Sequence, residues 1–297
     1  MEFLLTLING LSLGGIYAMI ALGYTMVYGI AKMLNFAHGD VIMVGGYSVF
    51  VFTTMNMGTV SPVVSLVIAT VGAVVICACL GFGIEKLAYK PLRGASPLAV
   101  LITAIGVSSF LQSLAQIIFG SASSSVVFPN FGSLKLGSIS INNYTLITLG
   151  VTVVVMASLT LFVKYTNTGR AMLAVSEDRE AALLMGVNIN FIISITFVIG
   201  SALAALAGLF SLMNVPYIQP TFGSLPGIKA FTAAVIGGIG SIPGAMIGGI
   251  LLGVVECFCN SVPSIAPYTD AIEFAILIVI LIVKPTGILG KKRREKV

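Results

Sequence analysis

The sequence predicts an all-α polytopic membrane protein with about eight transmembrane segments, in a single domain that covers residues 1–297. Composition is one reason: 58% of the residues are hydrophobic and only 8% are charged, whereas a soluble domain carries about 25% charged residues. The second reason is a series of continuous apolar runs, because a helix needs roughly 20 apolar residues to cross a bilayer. A transmembrane β-barrel is disfavoured, since its strands alternate apolar and polar residues.

The predicted segments come from eight apolar runs, which span 3–31, 41–57, 61–84, 98–119, 144–163, 191–213, 228–258 and 271–283. The first run is expected to remain as a helix, because the start "MEFLLTLINGLSLGG" has no basic n-region and no clear small-residue cleavage site. Short segments between the runs carry most of the charged residues.

The basic residues predict the orientation of these segments. They cluster beside apolar runs in three places, namely Lys86, Lys90 and Arg93; Lys164, Arg170 and Arg179; and Lys284, Lys291, Lys292, Arg293, Arg294 and Lys296. Cytoplasmic loops carry an excess of Lys and Arg, so we expect all three places and the C-terminus in the cytoplasm. This pattern accounts for the net charge of +5 without a nucleic-acid partner, and the loop 120–143 is expected outside.

The seventh run, 228–258, is too long for one simple span. We predict two half-helices in it, separated by residues that do not continue a helix, namely Gly237, Gly238, Gly240, Ser241 and Pro243. Two crossings here agree with a cytoplasmic C-terminus and place the N-terminus outside, although re-entry from one side stays open. Broken backbone at membrane depth needs protein or a water-filled cavity around it. These residues are therefore candidates for lining a translocation route, and helix packing through small residues is the alternative.

The segment 165–190 predicts a cytoplasmic helix that docks onto another protein. A helix is allowed over about 167–187, because no proline occurs there. N-cap residues precede it, and Gly186 is the predicted stop. The helix mixes charged residues with apolar ones such as Leu183 and Leu184. Apolar anchors among charges are typical of a helix that lies in a partner's groove.

Within this segment "EAALLMG", Glu180 to Gly186, resembles the EAA-x-x-x-G motif of ABC-importer permeases. Four longer stretches resemble one family, the permeases of branched-chain amino acid importers, or LivH-like proteins. These stretches are "ALGYTMVYGIAKMLNFAHGDVIMVGGY", "KPLRGASPLAVLITAIGVSSFLQSLAQIIFG", "GIKAFTAAVIGGIGSIPGAMIGGILLG" and "KPTGILG". They occur in the expected order and are spread along the chain from residue 21 to residue 290, whereas the loop 120–143 carries the least resemblance.

The resemblance implies a membrane-spanning permease subunit of an ATP-binding-cassette importer for branched-chain or other hydrophobic amino acids, which an external binding protein delivers. It implies a second, LivM-like permease, two LivG- and LivF-like ATPase subunits, and a bacterial inner membrane. The EAA segment of the family forms a coupling helix that sits in a cleft of the ATPase. The resemblance thus assigns ATPase coupling to Arg170, Glu177, Asp178, Arg179, Glu180, Ala181, Ala182, Leu183, Leu184 and Gly186.

The chain itself is not expected to be an enzyme. It has no G-x-x-x-x-G-K-[ST] sequence, the motif whose backbone and lysine hold the phosphates of ATP. We therefore expect no cofactor in this chain, with ATP and magnesium bound by the partner ATPase subunits. We expect no catalytic or metal site either, because one histidine, scattered carboxylates and two C-x-C pairs offer no such constellation.

The stretch "NFAHGD", residues 35–40, holds the only histidine and lies between the first two apolar runs. It is expected at the inner end of the first span, with Asn35 or Asp40 capping a helix that begins around Asp40. A structural turn is the favoured interpretation of Asn35, His38 and Asp40. The alternatives are an inner gate of the translocation route and a proton relay through His38.

Two carboxylates, Glu256 and Glu273, fall within apolar runs. Charges within a span are costly and are a hint of function. Because both are expected near the outer interface, a structural role is favoured over contact with the ammonium group of a passing substrate.

Two other functions stay open from the residues alone. A permease for urea or a short amide would look similar within the same superfamily. An ion-coupled secondary transporter also contains broken helices and Gly-rich segments. It would follow an ion gradient and would need no ATPase partner.

Overall fold

Long helices make up most of the chain. The computed structural model describes residues 2–33, 35–56, 60–136 and 139–290. The α-helices in that part are α1 (Glu2–Ala31), α2 (His38–Met55), α3 (Pro62–Ile84), α4 (Pro97–Phe119), α5 (Asn143–Tyr165), α6 (Asn167–Glu177), α7 (Arg179–Leu184), α8 (Ile189–Asn214), α9 (Ser224–Gly237), α10 (Ile242–Ser261) and α11 (Thr269–Val283). The predicted all-α class is therefore confirmed.

Among the described residues, seven helices are long and apolar enough to cross a membrane. They are α1, α3 with its continuation to Leu92, α4, α5, α8, α10, and α11 with the short turn before it. α9 is a shorter apolar helix of 14 residues. α2, whose first turn contains His38 and Asp40, is not among the seven. The chain is a multi-pass membrane protein; the basic residues 291–297 lie outside the described residues.

Two small antiparallel ladders lie beside the helices. In the predicted external loop, β2 (Ser133–Leu136) pairs with β3 (Ile139–Asn142). β1 (Ser124–Ser125) pairs with β4 (Tyr217–Ile218). The second ladder ties the loop after α4 to the segment after α8.

Glycines let α1 and α10 pack in close contact. A Cβ on Gly10 would lie 2.9 Å from the Cα of Val254, and one on Gly14 would lie 2.7 Å from the Cα of Ile250. A Cβ on Gly253 would collide with the backbone of Gly14. Small residues at a contact let membrane helices approach closely, so that van der Waals packing can hold them together. The order of these contacts shows that the two helices are antiparallel.

The contacts define the two ends of the bundle. α1 ends beside α7, because Arg179 donates hydrogen bonds to the carbonyls of Ile30 and Ala31; we call this the α7 end. α8 begins there, and α10 begins there as well, since it runs antiparallel to α1. The chain returns to the α7 end after α11, where the N–H of Ile288 donates to the carbonyl of Ile236 in the last turn of α9.

α2 and α9 both begin inside the bundle. Gly39, in the first turn of α2, lies against Gly223, the N-cap of α9, so that a Cβ on Gly39 would be 2.7 Å from the Gly223 carbonyl oxygen. Gly23 of α1 and Gly200, near the middle of α8, lie beside the start of α2. From this level α2 runs away from the α7 end and α9 runs toward it.

Two irregular segments therefore lead into the bundle from opposite ends. The first re-entrant segment (residues 32–33 and 35–37) connects α1 to α2, and it starts at the α7 end. The second re-entrant segment (residues 215–223) connects α8 to α9, and it starts at the other end. The parts of both segments that reach into the bundle are buried, among them Asn35, Ala37, Ile218 and Gly223, whereas Lys32, Val215 and Tyr217 are exposed.

The predicted break in the seventh apolar run is confirmed. α9 ends at Gly237 and α10 begins at Ile242, while Gly238 (φ +108°) and Gly240 (φ +94°) adopt conformations that suit glycine. The description as two half-helices needs correction, because α10 has 20 residues and can cross a membrane alone. Pro243 stands in the first turn of α10, where proline does not interrupt a helix.

Replacing Gly253 by alanine should weaken the contact between α1 and α10. The new Cβ would meet the backbone of Gly14, and overpacking of this kind costs about 1–3 kcal/mol. Gly150→Ala on α5 is the matched control, because a Cβ there meets nothing within 4 Å. The thermal unfolding midpoint in detergent should fall for Gly253→Ala and should not fall for Gly150→Ala. Equal midpoints would show that the two helices are not in close contact.

Candidate functional site

The predicted docking segment consists of two helices joined at Asp178. Thr166 caps α6, since its hydroxyl accepts a hydrogen bond from the N–H of Gly169 at 3.0 Å. Asp178 is extended (φ −148°), and its carboxylate accepts hydrogen bonds from the N–H groups of Glu180 and Ala181 at 3.1 and 3.0 Å. The expectation of one helix over about 167–187 is therefore wrong. Aspartate bonds to backbone N–H groups more readily as an N-cap than inside a helix.

α7 ends at Leu184, and the predicted stop Gly186 follows two residues later. This residue has φ +82°, its N–H donates to the carbonyl of Leu183, and the next N–H, of Val187, donates to the carbonyl of Ala182. This pair of bonds resembles the glycine-ended stop of many helices. A Cβ at Gly186 would meet nothing within 4 Å. Glycine is thus favoured here by backbone conformation and not by lack of space.

The apolar residues at the end of α7 are turned away from the bundle. Leu183, Leu184 and Met185 are 61%, 88% and 84% exposed, whereas Ala182 is buried against the helices. The other predicted coupling residues lie on the same segment. The exposed ones are Arg170, Glu177, Glu180, Ala181 and Gly186, and the partly buried ones are Asp178 and Arg179. The segment therefore presents an apolar patch with charges around it.

Arg179 faces the membrane helices and not the solvent. Its Nη2 donates hydrogen bonds to the carbonyls of Ile30 and Ala31 at 3.0 and 2.7 Å. These carbonyls end α1, where a helix leaves acceptors unpaired and favours a positive charge. Burial, with a smaller contribution from nearby Arg93, lowers the pKa of the Arg179 guanidinium, yet arginine keeps its charge at neutral pH.

Arg93 holds the segment after α3 against the start of α8. Its guanidinium bonds to the carboxylate of Glu85 and to the side-chain oxygen of Asn190. Glu85 in turn accepts a hydrogen bond from the hydroxyl of Ser194 at 2.6 Å. A groove of about 480 Å³ opens beside these residues, and it is lined by Arg93, Arg179, Leu183, Gly186, Val187, Asn188, Ile189, Asn190 and Ile193.

The sequence predicted that the stretch "NFAHGD" lies at the inner end of the first span. The structure instead places it inside the bundle. Lys32 has φ +57°, and the first re-entrant segment turns back there along α1. Asn35 reaches the π-helical turn after α3, where its Oδ1 accepts a hydrogen bond from the buried hydroxyl of Tyr89 at 2.8 Å. The Asn35 side chain thus joins two segments, and the N-cap position of α2 is occupied by Ala37, which has no side-chain cap.

α2 begins at His38, two residues before the predicted start. The His38 ring is 2% exposed and lies 4.7 Å from the ring of Tyr24. Gly23 leaves space for the histidine, since a Cβ there would collide with it. Asp40 is also buried and accepts a hydrogen bond from Nε2 of Gln112 at 2.8 Å. These contacts join α1, α2 and α4 in a polar connection within the bundle.

The residues after α9 that were predicted to break the helix lie at the α7 end. Gly240 packs near Gly29, where a Cβ would be 3.4 Å from the Gly240 Cα. Ser241 caps α10, because its hydroxyl accepts a hydrogen bond from the N–H of Gly244 at 3.2 Å. Pro243 follows in the first turn. The structure therefore brings the break next to the end of α1, from which the first re-entrant segment departs.

Sequence reasoning missed Lys229, which pairs with the two membrane carboxylates. Its Nζ lies 2.8 Å from Glu256, 2.8 Å from Asp270 and 3.3 Å from Glu273. The hydroxyl of Tyr17 donates a hydrogen bond to Glu256 at 2.6 Å. The Lys229 cluster (these five residues) connects α1, α9, α10 and α11. A lone lysine inside an apolar run was the signal that could have revealed it, because such a charge needs partners.

Comparison with known proteins gives matches over almost the whole chain. The family model for the permease component of the branched-chain amino acid transport system matches residues 6–281. The chain is 45% identical to the high-affinity branched-chain amino acid transport system permease protein BraD of Pseudomonas aeruginosa, over 100% of this chain and 98% of that protein. It is 45% identical to the corresponding protein LivH of Escherichia coli K12, over 99% of this chain and 98% of that protein.

Among solved structures, PsaBC from Streptococcus pneumoniae in complex with Fab matches 96% of this chain and 93% of that chain, with 15% identity and a TM-score of 0.48. The family match begins in α1 and ends in α11, so it includes both re-entrant segments and the docking segment. The chain therefore belongs to the family of permease components of branched-chain amino acid transport systems.

Proposed function

We propose that the chain is the membrane-spanning permease subunit of an ATP-binding-cassette importer in a bacterial inner membrane, and that it imports branched-chain amino acids. The observation that carries this proposal is the full-length match to BraD and LivH, whose names specify high-affinity branched-chain amino acid transport. In this proposal an external binding protein delivers the substrate. A LivM-like permease and two LivG- and LivF-like ATPase subunits complete the importer, and the ATPase subunits bind ATP and magnesium.

Two alternatives differ in substrate or in energy source. A urea or short-amide permease would also hydrolyse ATP through partner subunits, but it would not accept leucine. An ion-coupled transporter would use an ion gradient and would have no ATPase partner. The relatives named for amino acid transport favour the first proposal over both.

Uptake into proteoliposomes tests the proposal directly. The chain is reconstituted with its partner permease and ATPase subunits, and labelled leucine is supplied with the external binding protein. Uptake should require both ATP and the binding protein, and isoleucine and valine should compete for it while urea should not. Competition by urea would show that the chain belongs to a permease for urea or a short amide. Uptake driven by an ion gradient without ATP would show that it is a secondary transporter.

The α7 end faces the cytoplasm in this proposal. Basic residues concentrate at that end, as the inside loops of membrane proteins do: Lys86, Lys90, Arg93, Lys164 and Arg170. The C-terminus is then cytoplasmic and the N-terminus external. A cysteine added after residue 297 should resist a membrane-impermeant maleimide in intact cells and should react after the cells are opened. Labelling in intact cells would reverse the orientation.

The exposed end of α7 is the surface that docks on the ATPase. Leu183, Leu184 and Met185 form an apolar patch outside the bundle. A fully buried leucine contributes about 1.5–3 kcal/mol, whereas an exposed ion pair that Glu177 or Glu180 formed with the ATPase would contribute about 0–1 kcal/mol. The apolar contacts therefore dominate docking, and the charges around them add selectivity.

Shortening Leu184 to alanine should weaken ATPase association, because part of that buried area is lost. Leu87→Ala is the matched control, since Leu87 is 83% exposed on another segment. Gly186→Val should weaken association as well, because valine is strained at a positive φ and would displace the patch. Co-purification of the ATPase subunits and ATP-dependent uptake measure both effects. If Leu184→Ala and Gly186→Val both kept wild-type ATPase co-purification and wild-type uptake, the end of α7 would not be the surface that docks on the ATPase.

In this proposal the inner side of the translocation route is formed by two groups of residues, one in the stretch 35–40 and one at the break 237–243. Asn35, His38 and Asp40 lie in or just after the first re-entrant segment, and Gly240 packs beside the end of α1. A cavity of only about 10 Å³ lies between these regions, lined by Tyr24, Tyr28, Asn35, Phe231, Ala234 and Ile239. A route there would need the first re-entrant segment to move before a substrate could pass.

A further inference from the structure

Arg179 occupies an unusual position in the docking segment. It is the first residue of α7, directly after the cap Asp178 and less than two turns before the exposed patch. Its side chain points the opposite way from Leu183 and Leu184, because Nη2 reaches the carbonyls of Ile30 and Ala31 at 3.0 and 2.7 Å. A short helix that carries the docking patch is thus tied directly to the end of α1.

Those two carbonyls lie immediately before the first re-entrant segment. Lys32 follows with φ +57°, a conformation that is uncommon outside glycine and that the surroundings must hold in place. Its ammonium group bonds to the carbonyl of Gly29, so the last turn of α1 accepts bonds from two cations. The position of the Arg179 guanidinium therefore helps to set where the chain turns back into the bundle.

The first re-entrant segment has its other contacts with α9 and with the turn after α3. Asn35 accepts a hydrogen bond from Tyr89, and the ring of Phe36 lies 5.8 Å from the ring of Phe231 on α9. Then α2 begins at His38. A displacement of α1's end would thus reach α2 and α9 through a segment of a few residues.

We propose that Arg179 is a positioning residue that carries movement of α7 to the first re-entrant segment, and that it does not itself bind the ATPase. This inference rests on the proposed docking of α7 to an ATPase subunit. Its physical basis is a pair of charge-assisted hydrogen bonds, which are shorter and stronger than neutral ones. ATP-driven movement of α7 would pull on the end of α1 through these bonds and would open or close the inner side of the route.

Arg179→Gln tests this role in the complete importer. The variant removes the charge and keeps a polar side chain, and Lys164→Gln is the matched control, because Lys164 is exposed on the same end and contacts its neighbour Tyr165. Arg179→Gln should keep ATPase co-purification and ATP hydrolysis. The number of ATP molecules hydrolysed per leucine imported should rise by about tenfold or more, the factor that corresponds to one lost charge-assisted hydrogen bond. Lys164→Gln should keep the wild-type ratio.

A labelling experiment reports directly on movement of the first re-entrant segment. Phe36→Cys is introduced into a chain whose four native cysteines, Cys77, Cys79, Cys257 and Cys259, are replaced by serine or alanine. Phe36 is 37% exposed, so a maleimide can reach a cysteine there. In the complete importer, ATP with vanadate should change the labelling rate at residue 36, and the Arg179→Gln change should abolish that response. Arg179→Lys keeps the charge and should restore part of it.

The outcomes separate the inference from the function on which it rests. Loss of ATPase co-purification in Arg179→Gln would make Arg179 a docking residue and would overturn the inference. A normal ATP-to-leucine ratio with a normal labelling response would overturn it too, while docking through Leu184 would stand. If Arg179→Gln cannot be purified, Arg179→Ala, which also removes the charge, gives the same comparison, and an unchanged labelling response with wild-type uptake in that variant counts against the inference. If wild-type uptake needs no ATP, the proposed function itself fails.

Discussion

Lipid offers no hydrogen-bond partners, and this constraint governs every place where the chain leaves helical structure inside the bundle. Two such places meet where α2 and α9 begin, and the backbones touch there because Gly39 and Gly223 have no side chains. Gly23 leaves room for His38 at the start of α2, and Gly200 lets α8 lie close to Gly23 of α1. The close packing of α1, α8 and α10 therefore makes it possible for two helices to start in the interior, one from each end of the bundle.

Charges are used in two different ways in this structure. At the α7 end, Arg179 and Arg93 bond to helix ends and side chains that belong to other segments, so the cationic groups connect the docking segment to the bundle. Within the bundle, Lys229 is enclosed by carboxylates from two further helices. The bonds of Arg179 and Arg93 leave the apolar patch of α7 free for a partner. The ion pairs of Lys229 hold α9 in place despite its short length.

Much of the architecture could be predicted from local features. Apolar runs marked the helices, and glycine marked the stop at Gly186 and the break before α10, because each depends on neighbouring residues only. The position of the start of α2 inside the bundle could not be predicted, since it depends on a contact between Gly39 and Gly223, which are distant in sequence. The same applies to Arg179, whose place in a docking motif indicated solvent, while its partners are carbonyls of α1. Likewise, Asp178 split the predicted helix through its own hydrogen bonds.

The Lys229 cluster has a consequence for the order in which the chain assembles during synthesis. A lysine near the centre of a membrane helix costs about 2.5–3.5 kcal/mol on insertion, and α9 is only 14 residues long. Glu256 follows Lys229 by 27 residues, and Glu273 comes later still. A ribosome adds about 5–20 residues per second, so α9 waits on the order of seconds for its carboxylates. We therefore expect α9, α10 and α11 to enter the bilayer together, as one late unit, after the ribosome has completed α11.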